Sequence, residues 1–283
     1  MPRRKQATAR QGRLGAELRR LRESVGLTGR KAAALLGVDS VQMSQIESGI
    51  AGVSEERVRR LAANYACSDA ALIEALVAMA TARTRGWWEE YRGVLPDPFL
   101  DLSELDHYAT FRRDVAVIHV PGLLQTDAYA RALFGYMHPE WPDDERELWV
   151  EHRIKRRSII EGASPLPYET VIHEAALRIQ VGSRREFRRQ LLRIAEASTA
   201  DHLTVRVIPF AIGEFAGGGS SMVHLGGALP RLDTVVRDAP HGTAFIDTEA
   251  ELTQFRTLFR KVEGVSLDPC RSREFIHRLT EEL

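Results

Sequence analysis

The apolar positions of the first eighty residues recur at helical spacing. Leu14, Leu18 and Leu21 form an i, i+4, i+7 stripe from Arg13 onward, with Arg19, Arg20 and Arg22 off it, and Gly26 ends that helix. The run TGRKAAALLGVDSVQMSQIESG, residues 28 to 49, predicts two short helices joined by a sharp turn at Leu36-Gly37-Val38. Thr28 caps the first, whose inner face is Ala32, Leu35 and Leu36. Gly37 supplies the left-handed conformation that stops it, and Asp39 or Ser40 caps the second. Val38, Met43 and Ile46 close over the first helix. Ser54 opens a fourth helix, SEERVRRLAANYA, with Val58, Leu61 and Tyr65 inward and two glutamates in its first turn, where the helix dipole favours negative charge. A fifth starts near Ser68-Asp69. Its Leu72, Ile73, Leu76, Val77 and Met79 predict a surface apolar enough to serve as a dimer seam or a docking face.

The pattern then changes. Residues 81 to 86 (TARTRG) interrupt the helical register, and GWWEEYRGVLPDPFLDLSELDHYA brings Trp87, Trp88, Tyr91 and Phe99, which read as a packed hinge in preference to a stacking platform for bases, since no basic residues interleave them at strand spacing. A short β-like run and a Pro-Gly turn occupy VAVIHVPGLLQTDAY, and a helix follows from Thr126 or Asp127. Asp143 to Ile160 reads as a charged helix with Leu148, Ile154 and Ile159 inward, its RIKRR cluster (153 to 157) forming a solvated face. Alternating, β-branched stretches predict strands at Tyr168 to His173, Leu203 to Phe210, Ser221 to Leu225, Thr234 to Arg237 and Thr243 to Ile246. Helices are expected at Arg184 to Ala197, Glu249 to Val262 and Arg271 to Glu282. The fold class is α+β: an all-α five-helix domain followed by an α+β domain with a mainly antiparallel sheet. The expected organisation is a basic flexible arm (1 to 12), a helical domain (13 to 80), a linker (81 to 86) and a larger domain (87 to 283).

Charge sharpens this division. The formal charge of the 283 residues is zero, but residues 1 to 31 hold ten basic side chains against Glu17 and Glu23, so that the amino end suits a polyanion. Two cysteines in unrelated contexts form neither a disulfide framework nor a metal site, and no run of about 18 apolar residues occurs, so the expectation is a cytoplasmic protein with no membrane partner.

Helix, glycine turn and short second helix have the anatomy of a helix-turn-helix reader of double-stranded DNA, whose second helix lays its N-terminal side chains on base edges in the major groove. LGAELRRLRESVGLT, AAALLGV and MSQIESG resemble the Xre/Cro/repressor class of helix-turn-helix domains over roughly residues 13 to 80. Carried over by position, the resemblance implies base reading by Ser40, Val41, Gln42, Ser44 and Gln45. Gln45 suits bidentate pairing with adenine, and Val41 suits a thymine methyl. Thr28, Arg30, Lys31 and Arg13 are the candidates for phosphate contact. Met43 and Ile46 belong to the core, and Glu47 to a structural pair with a basic group. No Lys or Arg lies between Ser40 and Ser48, and Gly29 stands where many relatives carry glutamine.

A second resemblance covers roughly residues 86 to 282. GWWEEYRGVLP, VPGLLQTDAYARAL, HEAALR, LTVRVIPF and FRTLFRKVEGVSLDPCRSREFIHRL are similar to the C-terminal domain of the WhiJ-like, antitoxin-like bacterial regulators. That likeness implies a regulatory or partner-binding domain, commonly with a small acidic companion protein from a neighbouring gene. Enzymatic signatures are weak. HEAAL at His173 lacks the second histidine of a metalloprotease, AGGGSS (216 to 221) lacks the end of a phosphate loop, and His119, His173, His224 and His241 are scattered. No catalytic residue, cofactor or metal is expected. The expectation is a dimeric transcription regulator, a repressor-type protein on a palindromic operator, tuned by a partner or small ligand. The alternatives are an antitoxin-like interaction module with vestigial DNA binding, and a ligand-processing enzyme fused to a DNA reader.

Overall fold

The computed structural model describes residues 6–82, 84–212, 221–239 and 242–283. Their contacts divide the chain into two compact units, one of residues 1–107 with 228–232 and one of 108–227 with 233–283. The division thus falls at His107/Tyr108, beyond the 81 to 86 segment, because the aromatic segment and the helix after it belong to the first unit.

The first unit is all-α. It contains α1 (Ala9–Ser24), α2 (Gly29–Leu36), α3 (Ser40–Glu47), α4 (Glu55–Asn64), α5 (Ala70–Thr81) and α6 (Asp97–Tyr108, its last residue past the division). Thr28, Asp39, Ser54 and Asp69 each cap the helix that follows with a side-chain oxygen, and Gly37 takes φ 75°. The expected arm is shorter than residues 1 to 12. Thr8 and Gln11 form a reciprocal capping box, so helix begins at Ala9, a Thr-x-x-Gln signal that the stripe starting at Leu14 overshadows. Arg3, Arg4 and Lys5 lie outside the described residues.

Leu14, Leu18, Leu21, Ala32, Leu36, Met43, Ile46, Val58, Leu61, Leu72 and Leu76 form one buried cluster. Leu35 does not join it and is 44% exposed, since the buried face of α2 is Ala32, Ala33 and Leu36, and Leu35 falls about 100° around the helix from the middle of that face. The apolar face of α5 is covered within the unit, with Leu72 and Leu76 fully buried, and presents no open seam there. Leu229 and Leu232, brought back from far along the chain, pack on the same core.

The second unit is built on a six-stranded mixed sheet of order β3-β2-β1-β4-β5-β6, with β1 (Arg112–Ala116), β2 (Tyr168–His173), β3 (Leu203–Ile208), β4 (Met222–Leu225), β5 (Thr234–Ala239) and β6 (Gly242–Ile246). β1–β2 and β2–β3 are parallel, while β1–β4, β4–β5 and β5–β6 are antiparallel. Three of the five ladders are antiparallel, as the expected mainly antiparallel sheet requires, and the other two are parallel. The cause of the parallel pairing is connection length: α7 (Asp127–Met137), α8 (Asp143–Lys155) and α9 (Ser158–Glu161) separate β1 from β2, and α10 (Glu174–Arg178) with α11 (Arg184–Ala197) separates β2 from β3, each a helical crossover. Ala116, Tyr168, Ile172, Val205 and Val207 face α7, α11 and α13 (Pro269–Glu282), whereas Val115, Val171 and Ile208 face α12 (Glu249–Val265).

Buried polar groups hold this sheet. Arg112 donates from Nε and Nη2 to the two Asp114 oxygens, both at 2.9 Å, and the Tyr168 hydroxyl donates to Asp114 at 2.8 Å. Burial, with the Asp114 charge beside it, pushes the Tyr168 phenol well above its usual range.

Charged residues also fix the VPGLLQT turn. Gln125 donates to the Val120 carbonyl (2.8 Å), Tyr129 accepts from the Val120 amide (3.2 Å), and Arg153 donates to Gln125 Oε1 (2.7 Å). Arg157 donates to the Gln125 carbonyl and to Asp127. The RIKRR cluster is therefore not a solvated face. Arg156 is 4% exposed, Arg153 lies over the Phe134 ring at 4.9 Å, and the Arg153 and Arg157 guanidiniums close over the turn that precedes α7. The buried points of that region shift too: Trp149, Val150 and Ile160 are buried, whereas Leu148 is 37% exposed.

Candidate nucleic-acid interface

Helix α3 spans Ser40–Glu47 and begins at Asp39, whose Oδ1 accepts from the Gln42 amide at 2.7 Å. Met43 and Ile46 point inward, at 1% and 2% exposure, and fix which face of the helix is presented. That face carries Val41, Ser44 and Gln45, at i, i+3 and i+4, all exposed. Ser40 is exposed at the start of the helix and Gln42 is half-buried at its side. Of the reading candidates, the structure brings Ser40, Val41, Ser44 and Gln45 to the surface together.

Glu47 leaves this surface. Arg22 grips its carboxylate from Nε (2.6 Å) and Nη2 (3.0 Å) and also donates to the Leu27 carbonyl (2.6 Å), so one guanidinium ties α1, the turn before α2 and the end of α3. The pair raises the Arg22 pKa, chiefly through the hydrogen bond to Glu47.

The first turn of α2 carries the phosphate candidates. The Thr28 hydroxyl accepts from the Lys31 amide at 3.3 Å, and Arg30 and Lys31 are exposed, with no side-chain partner among the described residues. Two cations in the first turn of a helix oppose its dipole, an arrangement that becomes favourable when an anion sits at that end. Arg13 is different. It is 3% exposed, pairs with Glu17 at 3.3 Å and donates to the Arg231 carbonyl, so it is a core ion pair and not a phosphate contact. Arg231 itself reaches Glu17. The residue that completes this network lies more than two hundred positions away, beyond what helical periodicity shows.

Beyond α3, the turn at Ser48–Ile50 borders a cleft of about 420 Å3 lined also by Ala7, Asp97 and Asp101. Asp101, on α6, accepts from the Ala9 amide at the start of α1, but burial, and then the nearby Glu104 and Asp97, raise its carboxyl to about 7. A folded-state pKa above the unfolded value gives stability that is complete below the unfolded carboxylate range and lost as pH rises through about 7. Asp101→Asn is therefore expected to raise the melting temperature of the first unit by several degrees at pH 8, about 1–2 kcal/mol, and by much less at pH 5. Thermal melts of both proteins at the two pH values check this, and an equal difference at both would refute it.

The aromatic hinge is a packed cluster. Trp88 and Tyr91 are 2% and 5% exposed, and Trp87 meets both edge-on at about 6 Å, which leaves neither buried ring open to stack on a base. In the second unit an open cleft of about 500 Å3 is lined by Arg206, Arg260, Glu263, Asp268 and Arg271. His224 and Asp233 form a buried pair at 2.9 Å, His173 caps α10, and His241 lies outside the described residues, as do residues 216 to 220 of AGGGSS. Among the described residues no three His, Cys, Asp or Glu side chains come together to hold a metal ion, and no helix is long and apolar enough to cross a membrane.

Two family models match the chain. One, described as a helix-turn-helix domain, covers residues 13–76 and so contains most of α1, all of α2 to α4 and about half of α5. The other, described as a domain of unknown function (DUF5753), covers residues 99–278. No curated protein and no solved structure matches.

Proposed function

Because the chain belongs to the family defined by a domain of unknown function (DUF5753) and carries a helix-turn-helix domain ahead of it, we propose that it is a sequence-specific DNA-binding transcription regulator. The observation that carries the reading is the joint exposure of Ser40, Val41, Ser44 and Gln45 on α3 and of Arg30 and Lys31 on α2, the last two without side-chain partners among the described residues. In this reading α3 enters the major groove, Arg30 and Lys31 meet phosphates, and the chain has no catalytic centre.

An eight-residue helix spans only about 12 Å and reads few base pairs, which supports a homodimer on two half-sites about one helical turn apart. The narrower family reading, an Xre-type repressor related to the WhiJ-like, antitoxin-like regulators, is part of the same proposal, as is a second unit that responds to a partner or ligand. Arg185 and Arg189, exposed on α11 without side-chain partners among the described residues, support an acidic companion protein.

The test is DNA retention measured from low to moderate salt on fragments of the protein's own promoter. The log-log slope is expected to be steep in the wild type and shallower by about 2 in Arg30→Ala/Lys31→Ala, with affinity at least tenfold lower. A flat dependence in the wild type sinks the proposal. A second reading, an interaction module with weak DNA binding, is favoured by the absence of Lys and Arg from α3, and co-purification with a small acidic protein without DNA retention would select it.

A further inference from the structure

The surface that α3 presents has an unusual charge. With Glu47 turned back onto Arg22, and with no Lys or Arg between Ser40 and Ser48, the carboxylate of Asp39 is the formal charge that remains exposed there. It is negative, at the end of the helix that approaches a polyanion. Only one of its oxygens is used by the Gln42 amide.

The helix dipole favours a negative N-cap, as at Asp69 and Asp268, but the cap alone does not require the charge. Asn and Ser cap a helix about as well as Asp, without bringing an anion toward phosphates. In helix-turn-helix docking the N-terminal residues of the second helix face the base edges, so in that docking the exposed Asp39 carboxylate offers its second oxygen as an acceptor to the groove. An acceptor pairs with the exocyclic amino group of cytosine or adenine, and meets only other acceptors on the guanine edge and on the thymine carbonyl.

We propose that Asp39, besides capping α3, is a specificity determinant that confines the base it faces to cytosine or adenine and rejects guanine. The proposal rests on the DNA-binding reading. It makes Asp39 a discriminator at some cost in affinity, a cost that Arg30 and Lys31 on α2 offset. Gln45 and Val41, exposed farther along the helix, then supply the adenine and thymine-methyl contacts that suit their chemistry.

The experiment is selection of randomised duplexes by the full-length protein, carried out in parallel with Asp39→Asn and Asp39→Ser, which keep a capping oxygen. The wild type is expected to enrich cytosine or adenine at one position of each half-site. The variants are expected to admit guanine or thymine there, with a loss of discrimination of about tenfold, and to bind all duplexes severalfold more tightly, while their melting temperatures stay near that of the wild type. Unchanged base preference in the folded variants overturns the role of Asp39 and leaves DNA binding intact. Retention of no duplex by wild type or variants overturns the DNA-binding reading and this proposal with it. If Asp39→Asn fails to fold, Asp39→Ser decides. If neither folds, Asp39 is held by a structural need beyond the capping oxygen and the proposal fails.

Discussion

Replacing Gly15 with alanine is expected to lower the melting temperature of the first unit by about 10 °C, whereas the same change at Gly12, one turn earlier in the same helix, is expected to raise it slightly. Intrinsic propensity favours alanine at both positions by about 1 kcal/mol. Surroundings decide the sign. A Cβ at Gly12 meets nothing within 4 Å, but one at Gly15 comes to 2.6 Å from the Glu47 carbonyl oxygen and 2.7 Å from that of Ile46. Those atoms are backbone, so relief requires α1 and the end of α3 to separate. Overpacking of this kind costs about 1–3 kcal/mol, and the separation also stretches the Arg22–Glu47 bonds that close the same contact. About 2 kcal/mol net corresponds to roughly 10 °C in a unit of this size. The displaced element is α3, the helix proposed to read DNA, so DNA affinity should fall with stability in Gly15→Ala and hold in Gly12→Ala. Parallel melts and retention assays check both, and equal stability of the two variants would contradict the close approach of α1 and α3.

That contrast also shows which parts of the molecule can be read from sequence. Caps at Thr28, Asp39 and Ser54 and the inward Met43 and Ile46 are local: each depends on residues within one or two helical turns, so spacing alone exposes them. Their placement fixes by subtraction which side chains of α3 face outward. Arg13 shows the opposite case. A basic residue in a basic segment invites a phosphate contact, but its fate is set by Glu17 and by Arg231, which the fold returns from the far end of the chain. The same limit applies to Arg153, Arg156 and Arg157, a run of charge that reads as solvated until the VPGLLQT turn is folded beneath it. Strand positions were legible from alternation except at β1, which runs Arg112–Ala116 and only overlaps the start of the VAVIHV run. The antiparallel ladders were legible too, but the two parallel ones were not, because parallel pairing depends on how α7 to α11 pack as crossovers, which alternation within a strand does not encode. In the candidate interface, the outward face of α3 was legible and the withdrawal of Glu47 was anticipated as a pair, but the residual charge of Asp39 emerges only once Arg22 is seen to neutralise the carboxylate at the other end of the helix.

Gln190→Ala is expected to destabilise the second unit by about 3–5 kcal/mol, although the residue sits on the charged helix α11 and its sequence context looks unremarkable. Its side chain is fully buried. Oε1 accepts from the Thr126 amide at 2.6 Å and Nε2 donates to the Leu124 carbonyl at 2.8 Å, so one amide satisfies two backbone groups of the turn between the buried Leu123–Leu124 pair and α7. Truncation strands both groups in a region that water does not reach, at about 1–3 kcal/mol each, and leaves a small cavity besides. Gln190→Met separates the two causes, since it fills most of the volume and restores neither bond. If hydrogen bonding dominates, Met should recover little of the loss. If the cavity dominates, it should recover most of it. Amide hydrogen exchange gives the local readout: Thr126 is expected to exchange at least a hundredfold faster in both variants, in step with about 3 kcal/mol of lost protection. Protection of Thr126 unchanged in Gln190→Ala would mean that the turn is held without Gln190, by Gln125, Tyr129, Arg153 and Arg157, and that the geometry of VPGLLQT does not depend on α11.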